Sequence, residues 1–200
     1  MAKCVTCGER KGNRLCPVVN GNICSLCCGS KRQKEIVCVS SCGFLKKGTE
    51  YQTDRDITRK INEDLHAESE DVFDRDDVAP FIMSIEGFFV DRFYPNREVN
   101  DIHILQSFNR LYAFLSGTLP CLDPENSIEE LIFNKFDEAN RMNRHLSDAL
   151  KARVVLRIIK SIRTSSGGVL GNRNYLEMIH SQHTGKGKWA NLFTKLASED

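Results

Sequence analysis

Beyond residue 50, apolar residues recur every three or four positions, which is the period of an α-helix. The clearest segment carries its apolar side chains at Ile102, Leu105, Phe108, Leu111, Tyr112 and Leu115. Asn100 or Asp101 can cap the start of this helix, and Gly117 can end it. The pattern therefore predicts a helix with one apolar face that packs into a core.

Five other segments beyond residue 50 have helical character. Ser127-Ile128-Glu129-Glu130 matches a capping box, in which a serine and a later glutamate bond the backbone at a helix start. The remaining predicted helices cover residues 53–66, 76–94, 145–163 and 174–182. Since strand-like alternation is almost absent outside the first 42 residues, we expect an all-α helical domain over residues 47–200. A domain of about 150 residues buries roughly 70% of its unfolded surface, so it should fold without metal.

The first 42 residues have a different pattern, because they contain eight of the nine cysteines: Cys4, Cys7, Cys16, Cys24, Cys27, Cys28, Cys38 and Cys42. Four thiolates complete a tetrahedral zinc site, so eight predict two zinc ions. A segment this short, with few large apolar residues, needs such support to fold. We therefore expect residues 1–46 to be a zinc-stabilised, cross-braced finger. Cysteine clusters of this size can also hold an iron–sulfur cluster or form disulfides.

The sequence leaves open which cysteines share an ion. The two CxxC pairs, Cys4/Cys7 and Cys24/Cys27, can close one site, and the other four cysteines then close the second. Neighbouring side chains diverge, so Cys27 and Cys28 can both bind metal only if they serve different ions. Exchanging Cys27 and Cys28 gives a second partition, and a third alternative leaves one thiol unused.

The run from Ile23 to Cys28, after the Cys4/Cys7 pair and Cys16-Pro17, resembles the knuckle of HIT-type and MYND-type zinc fingers. Those fingers cross-brace two zinc ions, and their motif would select Cys24 and Cys28. The resemblance covers about 40 residues. It implies a module for protein interaction or assembly rather than catalysis.

Composition limits the class of protein. Hydrophobic residues make up 40% of the chain and charged residues 28%, as in a soluble globular protein. No run approaches the roughly 18 apolar residues of a membrane span, and the N-terminus has no apolar run of the kind found in secretory signals. We expect a cytoplasmic protein without a membrane partner, in a compartment where clustered cysteines bind metal.

Basic residues are concentrated towards the C-terminus, where Asp148 and Glu177 are the only acids between residues 141 and 195. A nucleic-acid-binding face would include Arg153, Arg157, Lys160, Lys186 and Lys188. The alternative is a solvated helix face that pairs with the acidic stretch 68–77.

Arg173-Asn174 followed by His180 resembles the Arg-Asn…His motif of HEPN-type ribonucleases. The resemblance implies that His180 acts as acid or base and Arg173 stabilises a phosphate. A metal-independent ribonuclease is therefore the alternative function.

Together these patterns predict a zinc-binding, non-enzymatic interaction or regulatory protein. Its finger would present a rigid surface to a macromolecular partner, and its C-terminal helices could contact nucleic acid. All-thiolate zinc sites are closed, which argues against catalysis by the metal.

Overall fold

The computed structural model describes residues 2–67, 71–167 and 171–186, and it divides the chain into two compact units, residues 1–56 and 57–200. Seven α-helices and one two-stranded sheet occur in the described residues, so the structure confirms a mostly helical chain. Within the same residues, no helix combines the length and apolar character needed to cross a bilayer.

The first unit begins with a turn at residues 4–8 and an antiparallel hairpin. Strand β1 (Arg14–Cys16) pairs with β2 (Gly21–Ile23), and Leu15 lies opposite Asn22. The short helix α1 (Ser25–Lys31) follows directly. Side chains of five cysteines, Ile23 and Ile36 form the buried core of this unit. Sulfur therefore replaces most of the hydrocarbon that a core normally contains.

Helix α2 (Gly43–Ala67) begins ten residues earlier than the predicted start at Thr53. Lys46 N–H bonds to Cys42 O at 3.1 Å, which starts the helical ladder before the predicted helix. The Arg32 guanidinium lies against Gly48, in the place where a Cβ atom would lie. The helix passes through residue 46 without a break, and the division into domains 1–46 and 47–200 stays a prediction.

The second unit contains a short 3₁₀ helix (Val72–Asp74) and five further α-helices. These are α3 (Ala79–Arg92), α4 (Asp101–Leu115), α5 (Ser127–Met142), α6 (Asp148–Ser166) and α7 (Asn174–His183). Helix α4 packs on α5 and α6, while α7 packs on α3 and α6. The core is rich in aromatic side chains. The rings of Phe81 and Phe136 meet edge-on with their centres 5.6 Å apart, and those of Phe89 and Phe108 do so at 5.7 Å.

Capping residues explain where these helices begin and end. Asn126 Oδ1 accepts from the N–H groups of Ile128 and Glu129, so α5 is capped one residue before the predicted Ser127. Ser147 Oγ accepts from Leu150 N–H at the start of α6, and Gly167, at φ +57°, ends that helix. The predicted helices were therefore right in type and differ at their boundaries.

Asp101 joins two helices that are far apart in sequence. Its carboxylate is fully buried and accepts from Tyr175 N–H at 2.8 Å and from Ser166 Oγ at 3.1 Å. The sequence predicts Asn100 or Asp101 as the cap of α4, and Asn100 occupies that position. The carboxylate instead satisfies the first turn of α7, because an ionised oxygen is stabilised at a helix N-terminus.

Candidate metal centre

Four thiols lie close together in the first unit. The Sγ atoms of Cys4, Cys7, Cys24 and Cys27 are all within 4.8 Å of one another, and three of these residues are buried. All nine cysteines of the chain are free thiols. Zinc bound by four thiolates at about 2.3 Å separates the sulfur atoms by roughly 3.8 Å. This cluster could therefore hold a metal ion after only small shifts of the side chains.

The Cys4/Cys7 pair is presented by a tight turn. Gly8 N–H bonds to Cys4 O at 2.8 Å, and Gly8 adopts φ +67°, a conformation that residues with a Cβ atom rarely adopt. Cys4 N–H also bonds to Arg10 O at 2.8 Å, which closes the loop. The turn fixes both sulfur atoms on one side of the backbone.

The Cys24/Cys27 pair belongs to the start of α1. Cys24 is the N-cap residue, and its Sγ accepts a hydrogen bond from Cys27 N–H at 3.4 Å. An anionic sulfur is favoured at this end of a helix. The hairpin brings this pair to the first, because Val5 N–H bonds to Asn22 O at 2.9 Å, two residues before Cys24.

The environment of the four thiols gives them unequal proton affinities. Burial by itself raises the pKa of Cys4, but backbone N–H groups of Cys24, Cys7 and Thr6 outweigh it and lower the pKa to about 6. N–H groups of Arg10 and Glu9 also lower the pKa of Cys7. The hydrogen bond with Cys24, together with burial, raises the pKa of Cys27 to about 12. At neutral pH the cluster is therefore partly ionised, and a metal ion would displace the remaining protons.

No family model matches this chain. No curated protein and no solved structure matches it either. The resemblance to HIT-type and MYND-type fingers therefore stays a prediction. The structure groups Cys24 with Cys27, whereas that resemblance selects Cys24 and Cys28. The N-cap position of Cys24 turns its sulfur towards the amide of Cys27, which explains the difference.

The other four predicted ligands line a separate small cavity of about 10 Å³: Cys16, Cys28, Cys38 and Cys42. The Cys38 thiol donates to Ile36 O at 3.5 Å, and Arg32 Nη2 lies 3.9 Å from Cys28 Sγ. In the described part of the chain, the first four thiols form the one group of metal-binding side chains within 4.8 Å. The structure thus brings the second set of four cysteines to one cavity, but their sulfur atoms are more widely spaced than those of the first set.

The predicted nucleic-acid residues have varied surroundings. Arg157 Nε donates to both carboxylate oxygens of Asp71 at 2.8 Å, and its guanidinium lies 4.8 Å from the centre of the Phe73 ring. This is the pairing with the acidic stretch given as the alternative above. Arg153 is half-buried, Lys160 and Lys186 are exposed, and Lys188 lies outside the described residues. Binding of nucleic acid stays a prediction.

Arg173 and His180 both lie against the end of α3. The Arg173 guanidinium donates to the carbonyls of Tyr94 and Asn96, each at 2.6 Å, and to that of Val99. The His180 ring stacks on Tyr94, with ring centres 3.8 Å apart. Arg173 thus links the start of α7 to the chain segment that follows α3, and these bonds give Arg173 a structural role. The ribonuclease alternative stays a prediction without support from these contacts.

Glu86, a buried carboxyl in the second unit, was not among the residues predicted to be functional. It is 5% exposed, and its Oε1 accepts from the Tyr175 hydroxyl at 2.9 Å. The sequence signal that could have identified it is a charged residue inside the apolar run from Phe81 to Val90, because charged residues are rarely fully buried unless they are paired.

Proposed function

We propose that the first unit is a two-zinc finger that docks onto a protein partner. The observation that carries the docking proposal is the distribution of exposed apolar side chains. Of the eleven large hydrophobic residues exposed in the described chain, nine lie between residues 5 and 51. Of these nine, Val37 and Leu15 are the most exposed, at 77% and 71%. Such a concentration on a small module is typical of an interaction surface.

Zinc is the ion that best fits the first cluster. An all-thiolate donor set favours zinc over oxygen-seeking cations such as magnesium and calcium. The unit also needs the ion, because among its described residues Ile23 and Ile36 are the only buried core residues that are not cysteines. Binding of one structural zinc supplies on the order of 10–16 kcal/mol, which becomes folding free energy.

We assign a second zinc ion to Cys16, Cys28, Cys38 and Cys42. These four face one cavity, and its volume is near the minimum for a single water-sized occupant. Arg32, which lies close to Cys28, would offset the negative charge of the thiolates. With Cys27 in the first site and Cys28 in the second, the two ions cross-brace the finger.

The second cavity connects the metal to the docking surface. Leu15 and Phe44 line it and are both exposed, and the guanidinium of Arg14 lies 4.9 Å from the centre of the Phe44 ring. Metal binding there would fix the positions of these apolar side chains. A rigid apolar surface with basic neighbours suits a protein partner that presents apolar and acidic side chains.

Native mass spectrometry of the full chain, purified under reducing conditions, tests the metal content. We expect two zinc ions, both lost with chelator. Cys4→Ser should remove the first ion, and Cys121→Ser, which changes an exposed thiol of the other unit, should leave the count unchanged. Detection of disulfides, or of iron in place of zinc, would contradict the assignment.

Site-specific photo-crosslinking in the producing cells tests the docking surface. A photo-reactive residue at position 15 should give protein adducts that disappear with Cys4→Ser, because the unfolded finger loses its surface. The matched control is position 142, where Met142 is equally exposed, at 71%, in the second unit. Equal adducts at both positions, or adducts to nucleic acid alone, would overturn the proposal.

A further inference from the structure

The second unit contains a cavity of about 400 Å³ between the 3₁₀ helix, α3, α6 and α7. Cavities of this size are within the range that binds small organic ligands. Much of its wall is apolar and comes from Phe73, Ile82, Met83, Met178 and Ile179. Methionine side chains adapt their shape to a ligand more readily than branched ones. The cavity can therefore receive an apolar group.

Charged groups of this cavity are mainly acidic. Four carboxyl groups line it, those of Asp71, Asp74, Asp76 and Glu86, against the two guanidinium groups of Arg75 and Arg157. Both arginines already bond carboxylates, since Arg157 binds Asp71 and Arg75 binds Asp77 at 2.7 Å. When all four carboxyl groups are ionised, the lining has an excess of two negative charges, which favours a cation over an anion.

Glu86 is the buried member of this set. It is the one lining carboxyl that is almost wholly removed from solvent, and the Tyr175 hydroxyl holds it in place through Oε1. Burying a carboxyl costs free energy unless a partner compensates it. Tyr175 supplies one neutral hydrogen bond, whereas an ammonium group would supply a charged one.

We propose that this cavity binds a small organic amine, with its apolar body between Met83 and Met178 and its ammonium group on Glu86. The site uses only residues of the second unit, so it does not depend on the proposed zinc finger. Carboxylates of Asp74 and Asp76 at the exposed rim would attract the cation and assist its entry.

The amine should bind more tightly as Glu86 ionises. Burial raises the pKa of Glu86 to about 7. Tyr175 on α7 bonds Glu86, and the charge of Arg157 on α6 acts on it. Asp71, Asp74, Arg75 and Asp76 line the same cavity, while His183 lies over Gly87 and does not line it. Affinity for an ammonium ion should therefore rise about tenfold between pH 6 and pH 8. Glu86→Gln should remove this dependence.

Methionine methyl NMR of the full chain with 4-phenylbutylamine tests the proposal. The methyl signals of Met83 and Met178 should shift, while that of exposed Met142 should not. The uncharged analogue 4-phenylbutanol should bind at least about tenfold more weakly, and Glu86→Gln should weaken amine binding by a similar factor without affecting the alcohol.

Several outcomes would overturn the site. Equal binding of amine and alcohol would show an apolar cavity without cation selectivity, and unshifted Met83 and Met178 signals would show no binding there. If Glu86→Gln fails to fold, the pH dependence of the wild type and the variant Asp74→Asn/Asp76→Asn replace it. That variant changes exposed residues and should weaken amine binding about twofold to fivefold. If the variant binds the amine with unchanged affinity, and binding to the wild type does not depend on pH, the proposal is refuted.

Discussion

In the part of the chain that the structure describes, the two compact units bury different kinds of side chain. The first unit has five cysteines and two isoleucines in its described core, and it exposes nine large hydrophobic residues. Among its described residues, the second unit buries thirty hydrophobic residues in one cluster and exposes two large ones, Phe114 and Met142. One unit keeps its apolar side chains outside, and the other places them inside.

This difference indicates two ways of obtaining a stable fold. In the second unit, hydrophobic burial supplies the free energy that opposes conformational entropy. The first unit has too little buried hydrocarbon for that, and its thiols would gain the missing free energy from metal. In the finger that we propose, metal would fix the backbone and leave the apolar side chains available for a partner. Metal dependence and surface exposure would then be two aspects of one arrangement.

The largest expected effect is the loss of the first unit on removal of metal. Cys24→Ser, which disrupts one site, should remove up to about 10–16 kcal/mol of folding free energy from the first unit and leave α3–α7 folded. Chelator, which removes both proposed ions, should have a larger effect on the same unit. Amide signals of residues 2–42 in a ¹H–¹⁵N NMR spectrum should collapse to unfolded positions, while those of residues 79–166 persist. Cys121→Ser is the matched control and should leave the spectrum intact. If the signals of residues 2–42 persist without metal, the first unit does not need metal to fold, and the proposed difference between the two units is wrong.

A smaller effect is expected from the core of the second unit. Phe108→Ala removes a fully buried ring from α4 and should lower the free energy of unfolding by about 3–5 kcal/mol. Phe114→Ala changes a ring of the same helix that is 40% exposed, and its cost should stay below about 1 kcal/mol. Urea unfolding followed by circular dichroism measures both. Zinc content should not change in either variant, and a loss of zinc with Phe108→Ala would show that the units fold together.

The smallest expected effect comes from the buried carboxyl of Glu86. Burial raises its pKa from the ordinary 4.5 to about 7, so the folded state retains a proton that the unfolded state releases. The contribution of Glu86 to stability should be most favourable below pH 4.5 and should fall, by up to about 3 kcal/mol, as pH rises through 7. Glu86→Gln should therefore stabilise the chain at pH 8 but not at pH 4.5. Exposed Glu98→Gln provides the control, and a gain for Glu86→Gln that is equal at both pH values would contradict the prediction.

Helices of the second unit were predictable because their signals are local. Apolar spacing from Ile102 to Leu115 and the polar caps at the starts of α5 and α6 each act within a few residues. The early start of α2 was not predictable in this way. Gly43 and Gly48 disfavour a helix locally. The Arg32 guanidinium that lies against Gly48 comes from a different segment of the chain.

The candidate site shows the same division. Thiolate chemistry and CxxC spacing were enough to identify Cys4, Cys7, Cys24 and Cys27 as candidate ligands. The choice between Cys27 and Cys28 was left open, because it depends on the direction of α1 and on the hydrogen bond from Cys27 to Cys24. Those are set by the hairpin that joins the two pairs.

By itself, the sequence determined that this protein has a cysteine-rich segment followed by helices, since residue type and periodicity act over short distances. Tertiary structure alone decided which four thiols meet, which carboxylate caps α7, and that Glu86 lines a cavity. Each of these depends on side chains many positions apart, such as Asp101 with Tyr175 and Glu86 with Tyr175. The packing of whole helices brings such pairs together, and no local sequence pattern predicts which distant residues will meet.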